Sequence, residues 1–233
     1  MLRELTTVGV SLMPSSALKG CIEEGDTALT RFASHWDELV PDCYAAELGT
    51  QRLRRYGHFS YHPLGGKAKL LAHESFVQPA DSNPLYINTD RRFEPLTNTF
   101  AADRLLHALL ALLGQIATAL DEVAEWSAKV TPFRVLASGH AEGQPTPEGL
   151  HRDGVTLVAS LLIGRDNATG GESTVVDMTG ETLLVTTLRE PGTLLLGDDR
   201  RTLHGVSPIR PIDPTRAARR DVLVITFAPR SAR

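Results

Sequence analysis

From about residue 130 onward, apolar and polar positions alternate in short runs separated by turn residues. The runs are Val130–Ala137, Val155–Ile163, Ser173–Asp177, Thr182–Leu188, Thr193–Leu196, Leu203–Val206 and Asp221–Phe227. The separators carry Gly164, Asn167, Gly170, Gly171, Gly180, Pro191, Gly192, Gly197 and Pro208. A period of two puts alternate side chains on opposite faces, and many short strands with Gly and Pro turns predict a sandwich or barrel. No helix-length pattern interrupts them, which argues against a parallel sheet with crossover helices.

The first half reads as support for that core. Residues 4–13 alternate weakly and predict a first strand. Ser15 or Ser16 can cap a helix running towards Leu39, with Leu18, Ile22, Leu29, Phe32, Trp36 and Leu39 near helical spacing. Gly25 divides it and Pro41 ends it. Residues 51–63 are polar with strand-like aromatics, and Lys67 to Asn88 reads as one or two strands around a loop at 78–84. The clearest helix spans roughly 100–126, after the capping candidates Asn98 and Thr99. Its stripe of Leu105, Leu109, Leu112, Ile116, Leu120 and Val123 predicts packing on the outside of a sheet. There is no repeat and no linker. We expect one domain over residues 1–233, with helical and strand support over 1–129 and a core over about 130–228.

Composition narrows the classes. The chain has 233 residues, 42% hydrophobic and 22% charged, enough to bury a full core. A net charge of −4 and a pI near 6.1 give no reason to expect nucleic acid or an anionic membrane as partner. Cys21 and Cys43 fit no metal spacing and are expected as free thiols in a reducing compartment. Residues 1–5 lack a signal-peptide core, and no run reaches the ~18 apolar residues of a membrane helix. The expectation is a soluble, cytoplasmic protein, of an oligomeric state that the sequence leaves open.

The chemistry concentrates at Pro147-Glu148-Gly149-Leu150-His151-Arg152-Asp153-Gly154. In extended backbone His151 and Asp153 share a face, giving an imidazole beside a carboxylate. His204 is the best third ligand. Two histidines and one carboxylate leave three adjacent coordination positions open, as non-haem iron(II) oxygenases require. A lone His-x-Asp occurs often by chance, and its bland reading is a loop hydrogen bond. His140, in the loop before the motif, is the rival ligand. An oxygenase of this kind also needs two electrons, most commonly from 2-oxoglutarate, whose far carboxylate suits an arginine fork. Arg220 leads a closing strand in which Arg220, Val222, Val224 and Thr226 share one face. Arg219 and Arg210 compete for the role.

Taken together, the segment 147–154, Leu162-Ile163-Gly164-Arg165-Asp166-Asn167 with Gly170-Gly171-Glu172-Ser173, His204-Gly205-Val206-Ser207-Pro208-Ile209 and Arg220-Asp221-Val222-Leu223-Val224 resemble a known family. It is the bacterial iron(II)/2-oxoglutarate dioxygenase family that includes the L-isoleucine 4-hydroxylases. The resemblance covers about 130–228 and is looser around residues 54–56 and 92–96. It implies a mainly β fold with flanking helices, built on a double-stranded β-helix (jelly-roll, cupin-like) core. It further implies hydroxylation or sulfoxidation of a free aliphatic L-amino acid, with iron(II) at His151, Asp153 and His204. The cosubstrates would be O2 and 2-oxoglutarate, the latter on Arg220, with succinate and CO2 released and ascorbate serving as reductant in vitro.

An amino-acid substrate needs an acceptor for its ammonium and a donor for its carboxylate. Glu148 is the candidate acceptor, against an ordinary role as a loop carboxylate. Arg55, Tyr56, Tyr61 and Arg134 are candidate carboxylate partners or pocket walls, against ordinary surface or core roles. The rival functions are the same chemistry on a peptide or carrier-tethered amino acid, and a non-oxidative metal-binding jelly roll, since zinc accepts the same ligands.

Overall fold

The computed structural model describes residues 1–22, 27–47, 49–76 and 91–230. In chain order the first half holds α1 (Leu2–Val8), β1 (Val10–Met13), α2 (Ser15–Cys21), α3 (Ala28–Ala33), a 3-10 turn at Ser34–Glu38, β2 (Val40–Pro41) and α4 (Cys43–Glu47). β3 (Arg52–Arg54), β4 (Gly57–His62), β5 (Lys67–Leu70), α5 (Asn98–Ala101) and α6 (Arg104–Leu120) follow. The second half is all strand: β6 (Trp126–Ala137), β7 (Leu157–Asp166), β8 (Ala168–Gly170), β9 (Glu172–Asp177), β10 (Thr182–Thr187), β11 (Leu194–Asp198), β12 (Thr202–Val206), β13 (Ile209–Pro211) and β14 (Ala218–Pro229).

Among the described residues the large sheet runs β1-β11-β7-β14-β6-β3-β2, with β4 also on β6 and β5 on β4. A small sheet, β10-β9-β12, and the pair β13-β8 complete the fold, and every strand pair is antiparallel. This is the mainly β, jelly-roll arrangement that the motifs implied. The seven runs read from the alternation appear as β6, β7, β9, β10, β11, β12 and β14, and the two three-residue strands β8 and β13 were too short to read.

Period-two alternation sorts the large sheet into two faces. Leu157, Ala159 and Leu161 of β7, Leu223, Ile225 and Phe227 of β14, and Trp126, Ala128 and Val130 of β6 face outward. They pack against Leu105, Leu106, Leu109, Leu110, Leu113 and Ile116 of α6, together with Phe32 and Trp36. Burying a leucine fully contributes about 1.5–3 kcal/mol, so this layer is the main stabilising core. The other face looks into the space between the sheets.

Three expectations change. Residues 2–8 are helix rather than strand, ended by Gly9 in the left-handed conformation (φ 92°). Only Val10–Met13 pairs, as an edge strand. The helix expected from Ser15 to Leu39 is α2, α3 and the 3-10 turn, with the Gly25 break lying outside the described residues. The helix expected over 100–126 is two helices. Thr97 caps α5, accepting from Phe100 N, and Asp103 accepts from Leu105 N at 2.8 Å to restart the chain as α6. It stops at Leu120, and Trp126 already belongs to β6, its indole N–H donating to Thr118 Oγ1 at 3.0 Å. The strand-and-loop reading of 67–88 is seen only as β5, since 77–90 lie outside the described residues. Among the described residues no helix is long and apolar enough to cross a membrane. Cys21 and Cys43 stand exposed as free thiols.

Candidate metal centre

A reciprocal backbone bridge brings the two histidines together. His151 N donates to His204 O at 3.0 Å and His204 N donates to His151 O at 2.9 Å. The imidazole centroids lie 4.5 Å apart, and Asp153 Oδ2 is 3.7 Å from His204 Nε2. One ligand atom each from His151, Asp153 and His204 falls within 4.8 Å of the others, a grouping fit for a metal ion. His140 is exposed at a turn and stands outside this group. Other histidines pair elsewhere: His35 with Asp103, His58 with Ser127 and His107 with Ala101 O.

The surroundings prepare the donors. His151 Nδ1 lies 2.9 Å from Gly149 O. A carbonyl only accepts, so Nδ1 carries the proton and Nε2 keeps its lone pair for a cation. Burial pushes the His204 imidazole down to about 4; Asp153 opposes that and the neighbouring His151 adds to it. His204 is therefore neutral, as a metal ligand must be. Asp199, fully buried, accepts from Asp153 N at 3.1 Å and Val155 N at 3.0 Å, and its Oδ1 is 3.7 Å from His204 Nδ1. Burial, then the charge of Asp153, push its carboxyl up to about 6. Sequence reasoning missed Asp199. Its signal was the acidic pair Asp198-Asp199 just ahead of His204, and Asp198 went to a different task, holding Arg200.

These side chains line a cavity of about 160 Å³ between the two sheets. Arg220, Val222, Val224 and Thr226 all face it, as the alternation of the last strand predicted. Arg220 is buried, and among the described residues its Nε has no hydrogen-bond partner. Burial, then the charge of Arg165, push its guanidinium down to about 10. Gly170 and Gly171 have positive φ, 72° and 68°. A Cβ on Gly171 would sit 3.1 Å from Arg220 Cδ and 3.3 Å from its Nε, so the missing side chain is what lets Arg220 lie there. Arg219 is exposed and Arg210 pairs with Glu142 at the surface, so of the three arginines considered only Arg220 reaches the cavity.

A 2OG-Fe dioxygenase family model matches residues 33–226. The chain belongs to this family. Comparison with curated proteins finds no match. Among solved structures, this dioxygenase is similar to a BsmA homologue from Methylobium petroleophilum PM1, with 34% identity, a TM-score of 0.90, and coverage of 98% of this chain and 91% of that one. It shares the fold of IDO from Bacillus thuringiensis at 17% identity and TM-score 0.80, covering 99% and 94% of the two chains. The Fe(II)/(alpha)ketoglutarate-dependent dioxygenase TqaL is a third fold relative, with 20% identity, TM-score 0.77, and coverage of 100% and 86%. Membership makes the dioxygenase an oxidoreductase that works with iron(II), 2-oxoglutarate and O2. The residues fit those groups: two imidazoles with one carboxylate, and a buried arginine with a donor left open among the described residues.

The substrate-side expectations divide. Glu148 lines the cavity, its Oε1 3.5 Å from His151 Nε2. Tyr61 and Arg134 do not line it. Tyr61 is fully buried on the outward face, its ring against Gly114 of α6 and its hydroxyl 3.4 Å from Ala111 O. Arg134 also points outward and forks onto Asp221 at 2.8 and 2.9 Å, with Asp37 beyond. Both were expected near substrate and both serve the scaffold, because the parity of β4 and β6 turns them away from the cavity. Arg55 donates to Glu38 O and Pro95 O at the surface. Its neighbours Arg52 and Arg54 face the cavity instead, with Lys129.

Proposed function

We propose that this dioxygenase hydroxylates a free aliphatic L-amino acid, releasing succinate and CO2. His151, Asp153 and His204 would hold iron(II), and Arg220 would hold the distal carboxylate of 2-oxoglutarate. Bound together, these groups and O2 supply the oxidising power that an unactivated C–H bond demands.

The protein's own residues do the rest. Asp199 fixes the backbone of Asp153 and Val155, so the carboxylate ligand is set before any ion arrives. Arg220 meets an anion as a buried cation with no competing acceptor at Nε among the described residues. Val158, Val175, Leu195, Val222 and Val224 give the cavity aliphatic walls that exclude water and seat a branched side chain. Glu148 offers its carboxylate to the ammonium. The observation that carries this reading is the cavity itself. It is about 160 Å³, lined by the three metal-donor residues, by separate cations and by aliphatic side chains, and it suits a small zwitterion.

The test is succinate release from 2-oxoglutarate with iron(II), ascorbate and air over a panel of free L-amino acids, with mass spectra read for a gain of one oxygen atom. One aliphatic amino acid that both stimulates release and gains oxygen supports the reading. Consumption of 2-oxoglutarate with every amino acid unchanged would move the reaction to a peptide or carrier-tethered substrate.

A further inference from the structure

β3 puts two arginines into the cavity, and they are not equivalent. Arg52 is neutralised: its Nε and Nη2 grip Asp42 Oδ2 at 3.0 and 2.8 Å. Arg54, 3% exposed, has only a distant Nη1 contact with the same oxygen, 3.9 Å away. Among the described residues its Nε and Nη2 have no hydrogen-bond partner. Those two nitrogens form one edge of the guanidinium plane, the edge that closes on a carboxylate with two parallel bonds. Three other arginines have the same edge filled by a carboxylate: Arg52 by Asp42, Arg134 by Asp221 and Arg200 by Asp198.

The flat faces of Arg54 are already occupied. Its guanidinium carbon lies 3.5 Å from the ring centre of Phe93, 4.8 Å from Phe133 and 5.2 Å from Phe76. Stacking holds the plane in place and leaves the edge as the interaction still to be made. A buried guanidinium with an empty fork is costly until an anion arrives, and Arg52 and Arg91 nearby raise that cost. Arg54 also stands apart from Arg220. It pairs with Phe133 of β6, which pairs with Val222 of β14, so two strand spacings, about 10 Å, separate its backbone from that of β14. The cavity thus carries two separate buried arginines on different strands, each able to meet a carboxylate.

We propose that Arg54 takes the carboxylate of the primary substrate through its Nε/Nη2 edge, with Arg52 and Asp42 as positioning residues, and that substrates lacking a free carboxylate are rejected. For its reaction this rests on the hydroxylase reading above; for binding it does not. A site built to hydrogen-bond a group discriminates sharply against ligands without it.

Two experiments test it. In the first, succinate release is compared for L-isoleucine, L-leucine and L-methionine against their carboxamides, in wild type and in Arg54→Gln and Arg54→Lys. The acids stimulate turnover and the amides do not. Both variants raise the amino-acid KM by roughly 10- to 100-fold, the loss of a charged bidentate contact, and leave the 2-oxoglutarate KM unchanged. Equal use of acid and amide, or a rise in the 2-oxoglutarate KM instead, overturns the assignment. The second works without turnover. Isovalerate is titrated calorimetrically, under argon, into protein saturated with iron(II) and 2-oxoglutarate. Binding in wild type that is lost in Arg54→Lys supports the carboxylate site even where no free amino acid is oxidised. Absence of binding in wild type, or equal binding in both, overturns it.

Discussion

Replacing Gly171 by alanine tests the seat of Arg220 without touching a charged group. The position has φ 68°, and an added Cβ would meet Ile209 Cγ2 at 3.0 Å, Arg220 Cδ at 3.1 Å and Arg220 Nε at 3.3 Å. Two effects follow. The left-handed backbone costs an alanine about 1–2 kcal/mol. The crowding then pushes Arg220 by a few tenths of an ångström, which matters because a charged fork is directional. Gly180 separates the two. It has φ 91° and nothing within 4 Å of an added Cβ, so Gly180→Ala carries the backbone strain alone. Urea unfolding should show both variants destabilised by about 1–2 kcal/mol. The 2-oxoglutarate KM should rise several-fold in Gly171→Ala and stay at the wild-type value in Gly180→Ala. Gly171→Ala with wild-type stability and wild-type KM would refute the reasoning, and equal KM changes in both variants would trace the effect to general loosening.

Asp153→Ala removes the anionic member of the donor set, so the variant should bind no stoichiometric iron by metal analysis and release no succinate. Arg220→Ala should raise the 2-oxoglutarate KM by roughly 10- to 100-fold while iron content is retained, as expected for one charged fork. The third expectation concerns acid. His204 is held below its ordinary range, so on acidification the unfolded chain takes up the proton first. Stability of the metal-free protein is then lost as pH falls from about 6.5 towards about 4. Thermal unfolding across that window should show a gentler slope in His204→Asn, and an unchanged slope would remove His204 from the account.

Much of this was legible because period two is a strong signal where Gly and Pro punctuate it. β14 is the clearest case: the alternation assigned Arg220, Val222, Val224 and Thr226 to one face, and that face lines the cavity. The histidines and Asp153 were legible as a motif, since residue types and order carry that information. The weak alternation of residues 4–13 misled because Gly9, as a left-handed cap, ends a helix there rather than interrupting a strand. Asp103 was hidden for a similar reason, since a capping aspartate between two helical stretches reads as one continuous stripe. The sequence marked Arg54 and Asp199 only faintly, by a loosely matching segment and an acidic pair, and their roles were not legible there. In Arg52-Leu53-Arg54-Arg55 the choice of inward residue depends on pairing with β6, far along the chain. The role of Asp199 exists only where the turn after β11 meets the segment carrying Asp153.

The backbone bridge between His151 and His204 has a mechanical consequence. The segment from Thr146 to Thr156 has almost no strand structure of its own. It is pinned by Thr146 to Val206, by the bridge, and by the amides on Asp199. Two of the three metal donors ride on this segment and the third sits on β12 across from it. An ion held among them would act as a reversible cross-link, closing the long loop that contains β7 to β11 much as a disulfide closes one. Resistance to unfolding would then track the supply of metal as well as the quality of the core, because whatever binds only the folded chain stabilises it by mass action.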